Sequence, residues 1–181
     1  MKRNFFLLIV VLLLATAWGL YFHWPKAAYE DKPVPLNITC VNNLKQIGIG
    51  FRLWSGDHGD KNPFEVSTNA GGTRELTLAG ADGYYQNVWL FLQAMSNELT
   101  IPLLLICPQD TQKQPAAAWA NLTATDISYQ FPVATNGSTG KPKILAVCPV
   151  DGNILYDDGS VLPSKQYLAS HPDDKSLRRG Q

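Results

Sequence analysis

The feature that most constrains this chain is an unbroken apolar run, Phe5 to Phe22, with Lys2 and Arg3 directly before it. No Asp, Glu, Lys or Arg interrupts the run. At 1.5 Å rise per residue such a helix is about 27 Å long, close to the hydrocarbon thickness of a bilayer. Basic residues are retained on the cytoplasmic side. The expectation is therefore a single-pass transmembrane anchor over residues 1–24 in the inner (cytoplasmic) membrane. Its N-terminus would be cytoplasmic and the rest of the chain periplasmic or otherwise extracytoplasmic. Trp18, Tyr21 and Trp24 suit an aromatic belt at the outer interface. The alternative is a cleaved secretory signal, with Ala15-Thr16-Ala17 as a small-x-small site. Either way, the remainder is expected to be exported.

The 181 residues carry fifteen acidic and fifteen basic side chains. Lys2 and Arg3 precede the apolar run, so the remainder is slightly acidic, and no basic stripe interleaved with aromatics marks a nucleic-acid surface. The residues after the anchor suffice for one domain. Fourteen Gly and twelve Pro make that domain rich in turns.

Pro25, Pro33 and Pro35 make residues 25–38 an extended, polar linker, because proline breaks helices and biases the residue before it away from them. Thr39 then caps a helix running to about Ser55. Val41, Leu44, Ile47, Phe51 and Trp54 recur at helical spacing and give it one apolar face. Gly48 and Gly50 imply either close approach of another backbone or tolerated glycines. Residues 67–83 read as a glycine-rich loop with a possible short strand, and Gln86 to Leu99 as a second helix. Leu103 to Cys107, Asp126 to Phe131 and Lys143 to Cys148 read as strands. Ile154 to Tyr156 and Ser160 to Leu162 flank Asp157-Asp158-Gly159, a strong hairpin signal. A helix whose stripe covers an antiparallel sheet is an α+β arrangement. The expected globular domain is 39–163, followed by a polar tail, 164–181.

The stretch Cys40-Val41-Asn42-Asn43-Leu44-Lys45-Gln46-Ile47-Gly48-Ile49-Gly50-Phe51-Arg52-Leu53-Trp54 resembles the post-membrane helix of bacterial type IV pilin-like proteins of the type II secretion pseudopilin kind. The likeness continues through Gly56 to Lys61, Val66 to Thr73, Met95 to Leu99 and Cys107 to Thr111. Gly152 to Val161 looks like the closing hairpin of the same proteins. The resemblance spans roughly residues 39–162. It implies a pilin-like domain, a long helix on a small antiparallel sheet, in a membrane-anchored, non-catalytic structural or assembly subunit of a secretion or pilus-type system. Its partners would be other pilin-like or secretion-apparatus proteins. The chain departs from the pattern in lacking a Gly-Phe-Thr-Leu-Ile-Glu-like processing site, and three prolines separate its apolar run from the domain helix.

Two oxygen-rich clusters are calcium candidates, Asp57 and Asp60 with Asn62 after the helix, and Asp151, Asp157 and Asp158 with Asn153 near the hairpin. Their spacing does not match an EF-hand, and Asp in turns is ordinary turn chemistry. The second functional reading is accordingly an exported binding module with calcium as its candidate ligand. Cys40, Cys107 and Cys148 are too far apart in sequence for a C-x-x-C zinc motif. In an exported protein Cys40 and Cys107 are the preferred disulfide, tying helix to sheet. No hydrolase, metalloprotease or phosphate-cradling motif is present, so no catalytic residue and no small-molecule substrate are assigned.

Overall fold

The computed structural model describes residues 36–133 and 142–163, together with the single positions Leu14, Thr16 and Trp18. The chain divides into two compact units, Met1–Pro33 and Val34–Gln181; the helices and strands named here belong to the second.

Helix α1 spans Leu36–Asp57. It begins four residues earlier than a Thr39 cap implies, directly after Pro35 in sequence. Cys40, Leu44, Ile47, Phe51 and Trp54 form its buried face. Cys40, rather than the half-buried Val41, heads that face. Each large side chain so buried contributes about 1.5–3 kcal/mol of transfer free energy. Gly59 and Asp60, at φ 66° and 58°, end the helix in left-handed conformation. His58 and Asp60 donate their backbone N–H groups to the Ser55 carbonyl.

The sheet is three-stranded and antiparallel: β1 (Ile144–Val147), β2 (Asn153–Tyr156) and β3 (Val161–Pro163), with β2 in the middle. The expected hairpin closes β2 on β3, with Gly159 at φ 83°. Arg52 Nη1 donates to the Asp158 carbonyl at 2.9 Å and ties the middle of α1 to that turn. Between β1 and β2 the register slips at Leu145, where Ile144 pairs with Tyr156 but Ala146 with Leu155. This bulge resets the alternation. Leu145, Ala146 and Cys148 join the core under α1, whereas Ile144 and Val147 join Ile154 and Tyr156 in a separate cluster.

Helix α2 covers only Val88–Ala94, with turns continuing to Leu99. Two expected strands are absent. Pro102–Leu105 is a 3-10 helix, started by its proline; a short apolar run is compatible with strand or buried helical turn alike. Around Asp126 to Phe131 there are only single bridges, Gln130 to Val147 and Tyr84 to Pro132, after a 3-10 turn at Ala124–Asp126.

The α+β domain stands, but the transmembrane part of the expected architecture does not. Phe5 to Phe22 lies outside the described residues except at three positions. Among the described residues no helix is long and apolar enough to cross a membrane. Helix α1, with 22 residues, has the length but carries Lys45, Arg52 and Asp57 and a polar face. The single-pass anchor and the inner-membrane placement are therefore withdrawn. The tail at 164–181 also lies outside the described residues.

Phe51 is the hub of the core, its ring 5.9 Å from Phe91, 6.1 Å from Phe131 and 6.2 Å from Phe64. Phe51→Ala is expected to destabilise the domain by about 3–5 kcal/mol in denaturant unfolding. The Gly71-Gly72 pair also has a structural cause. A Cβ on Gly72 would lie 2.1 Å from the Val66 carbonyl oxygen, whereas at Gly56 it would meet nothing within 4 Å. Gly72→Ala should therefore lower the thermal midpoint sharply, and Gly56→Ala should raise it slightly, by up to about 1 kcal/mol of helix propensity.

Candidate functional site

Three elements each deliver one cysteine to the same place. Cys40 comes from the first turns of α1, Cys107 from just beyond the 3-10 helix, and Cys148 from the end of β1. Asn43, one turn after Cys40, donates Nδ2–H to the Ile106 carbonyl at 3.1 Å and docks the Cys107 segment on the helix. The bulge at Leu145 and the pairing of β1 with β2 set Cys148 on the core side. Asp151, in the turn between those strands, completes the group. The three sulfurs and one Asp151 oxygen all lie within 4.8 Å of one another. All three cysteines are fully buried, and Asp151 is half-buried at the edge.

The local sequence explains why. Cys107-Pro108-Gln109-Asp110 and Cys148-Pro149-Val150-Asp151 share the pattern Cys-Pro-x-Asp. In each, proline opens a turn after the cysteine, closed by Asp110 N–H on the Cys107 carbonyl and by Gly152 N–H on the Cys148 carbonyl, both at 2.8 Å. Such turns aim backbone N–H groups at the sulfur. Asp151 N–H donates to Cys148 Sγ at 3.4 Å, and the Gln109 backbone favours the Cys107 thiolate. Only the second turn sends its carboxylate inward, where Asp151 Oδ2 accepts from Cys107 Sγ at 3.6 Å. Asp110 instead accepts from Ser128 Oγ at 2.8 Å.

The surroundings keep the Cys40 and Cys107 thiols protonated. A hydrogen bond with the Cys148 thiol, then burial, pushes Cys40 far above the ordinary thiol range. Burial pushes Cys107 up to about 11. Tyr129, whose hydroxyl lies 3.9 Å from Cys40 Sγ, is raised by burial and by the neighbouring thiols. Thiols of this kind are poor nucleophiles, and thiolate is the reactive form. What the arrangement offers instead is three convergent sulfurs and a carboxylate.

The expected disulfide partners, Cys40 and Cys107, are brought together, but as free thiols, with Cys148 beside them. The calcium candidates do not converge. Among the described residues, the cysteine group is the one place where three or more His, Cys, Asp or Glu side chains gather, and of the five aspartates it contains only Asp151. Asp157 accepts from Lys143 N–H at 2.9 Å, across to the residue before β1, and Asp158 accepts from Ser160 N–H at 2.8 Å within the hairpin turn. Asp57 and Asp60 are exposed at the end of α1. His58 stacks on Trp54, ring centroids 3.5 Å apart, with Nδ1 2.7 Å from the Trp54 carbonyl, so it closes the helix end. An open groove is bordered by Asp82, Tyr84, Asp110, Lys113 and Ser128, and Lys113 Nζ there donates to the Ala124 and Ile127 carbonyls. Beyond the pair Cys40 and Cys107, the cysteine group was missed in the sequence; its legible signal was the repeated Cys-Pro-x-Asp.

No family model, no curated protein and no solved structure matches this chain.

The raised thiol pKa values carry a sign. A thiol held neutral in the fold adds stability that is fully present below its ordinary value of 9.0 and is lost as pH rises towards about 11 for Cys107. For chelator-treated protein, the thermal midpoint should fall over that interval, and Cys107→Ala should flatten the fall.

Proposed function

We propose that this chain is a non-catalytic, pilin-like structural or assembly subunit that associates with further copies of itself through the outer face of α1. One observation carries the reading. Opposite its buried face, α1 presents Ile38, Ile49 and Leu53 to solvent, with Ile49 and Leu53 each 56 % exposed. At 100° per residue the three lie within about a 60° sector, so they form one outward stripe. A helix needs only one apolar face to cover its own sheet. A second one costs solubility and favours docking. The order of a long helix followed by a small antiparallel sheet closed by the Asp157-Asp158-Gly159 hairpin, as the resemblance implies, supports the same reading. The turn and capping roles of the aspartates and of His58 support a non-catalytic module.

Photo-cross-linkers placed at Ile49 and Leu53 of the full chain, in the cells that make it, test the proposal. The expected result is adducts at twice the mass of the chain whose peptides come from this chain alone. A cross-linker at Lys61, off the stripe, should give none. Adduct yields at Ile49 and Leu53 no higher than at Lys61 would overturn the reading.

A further inference from the structure

We propose that Cys40, Cys107, Cys148 and Asp151 bind a zinc-like divalent cation as a closed, four-coordinate structural site, and that Asn153 is its positioning residue. The inference does not rest on self-assembly; it comes from the donor set and its surroundings.

Structural zinc sites take four protein ligands in a tetrahedron, with sulfur about 2.3 Å from the metal, which sets neighbouring sulfurs about 3.8 Å apart. Here all four donor atoms already lie within 4.8 Å of one another, so a small contraction closes the shell. Three sulfurs exclude calcium and magnesium, which take oxygen, and select zinc or a softer ion. The elements supplying the ligands are far apart in sequence, so a bound ion clamps α1, the 3-10 segment and the sheet together. Asp151, half-buried at the edge, lies on the side open to solvent.

The second observation is Asn153. It is 5 % exposed, and its Nδ2 is buried without a hydrogen-bond acceptor. Leaving such a donor unpaired costs about 1–3 kcal/mol. The Asn153 amide lies beside the Cys40 thiol. A thiolate bound to a metal is the acceptor that this donor lacks. Asn153 would join the Gln109 and Asp151 backbone N–H groups and the Tyr129 hydroxyl, already directed at the three sulfurs. Together they offset the excess negative charge of three thiolates and a carboxylate around one divalent ion. Uptake of the ion releases the thiol protons to solvent.

The test uses full-length, reduced, chelator-treated protein. Cobalt(II), as the spectroscopic probe, should load at one ion per chain, with a sulfur-to-cobalt charge-transfer band and intense visible bands of tetrahedral geometry. Zinc should displace it and raise the thermal midpoint, whereas calcium should not. Asp151→Asn should weaken zinc binding, and Asp157→Asn should leave it unchanged. Asn153→Leu should weaken it by about 10–100-fold and move the charge-transfer band to lower energy, a shift that loss of packing alone would not produce. The proposal is overturned if wild-type protein gives no charge-transfer band. It is also overturned if calcium stabilises as much as zinc, or if protein purified without reductant is short by the two hydrogens of a Cys40–Cys107 disulfide.

Discussion

The burial of one face of α1 against the central strand of a small sheet is the interaction on which the rest of the domain depends. A three-stranded sheet with strands of three or four residues cannot cover itself. Helix α1 supplies Leu44, Ile47 and Phe51 to the core, and β2 answers with Leu155. Gly48 and Gly50 permit this approach. A Cβ on Gly48 would lie 2.8 Å from Leu155 Cδ1, and one on Gly50 would lie 2.6 Å from Leu99 Cδ2. The helix thus gives up propensity at two positions in exchange for close packing.

The two ends of that interface do different things. At the Phe51 end, rings from the helix, the loop, α2 and the chain before β1 pack at tilted and edge-on angles, as aromatic quadrupoles prefer. At the Cys40 end, the core changes from carbon to sulfur and takes in a carboxylate and an amide. Buried cysteine can serve as a small hydrophobe, and three scattered ones would call for no further account. Three together, beside a carboxylate and an amide donor without an acceptor, are costly to leave as they are, because buried polar groups are normally paired.

Under the proposed self-association, the outward face of α1 would add a third role to the same helix. Ile49 and Leu53 alternate with Lys45 and Arg52 around it, and Arg52 reaches the hairpin turn. The stripe is narrow and interrupted by charge, and it does not enter the core of the domain.

The amino-acid sequence by itself determined the elements whose signals are local. Helical spacing from Leu44 to Trp54 marked α1, and Asp-Gly marked the β2–β3 hairpin, because each depends on a few neighbouring residues. Five apolar residues around Leu104 could not decide between strand and helical turn, and proline settled it for the turn only once the chain was folded. The cysteine group was legible only in part. The sequence paired Cys40 with Cys107, but nothing local states that Cys148 and Asp151 join them. The bulge at Leu145 then sets which side of β1 its residues face. Only the packing of α1 on the sheet brings those decisions to one point, since a shared site made from distant segments exists only where their contacts are made.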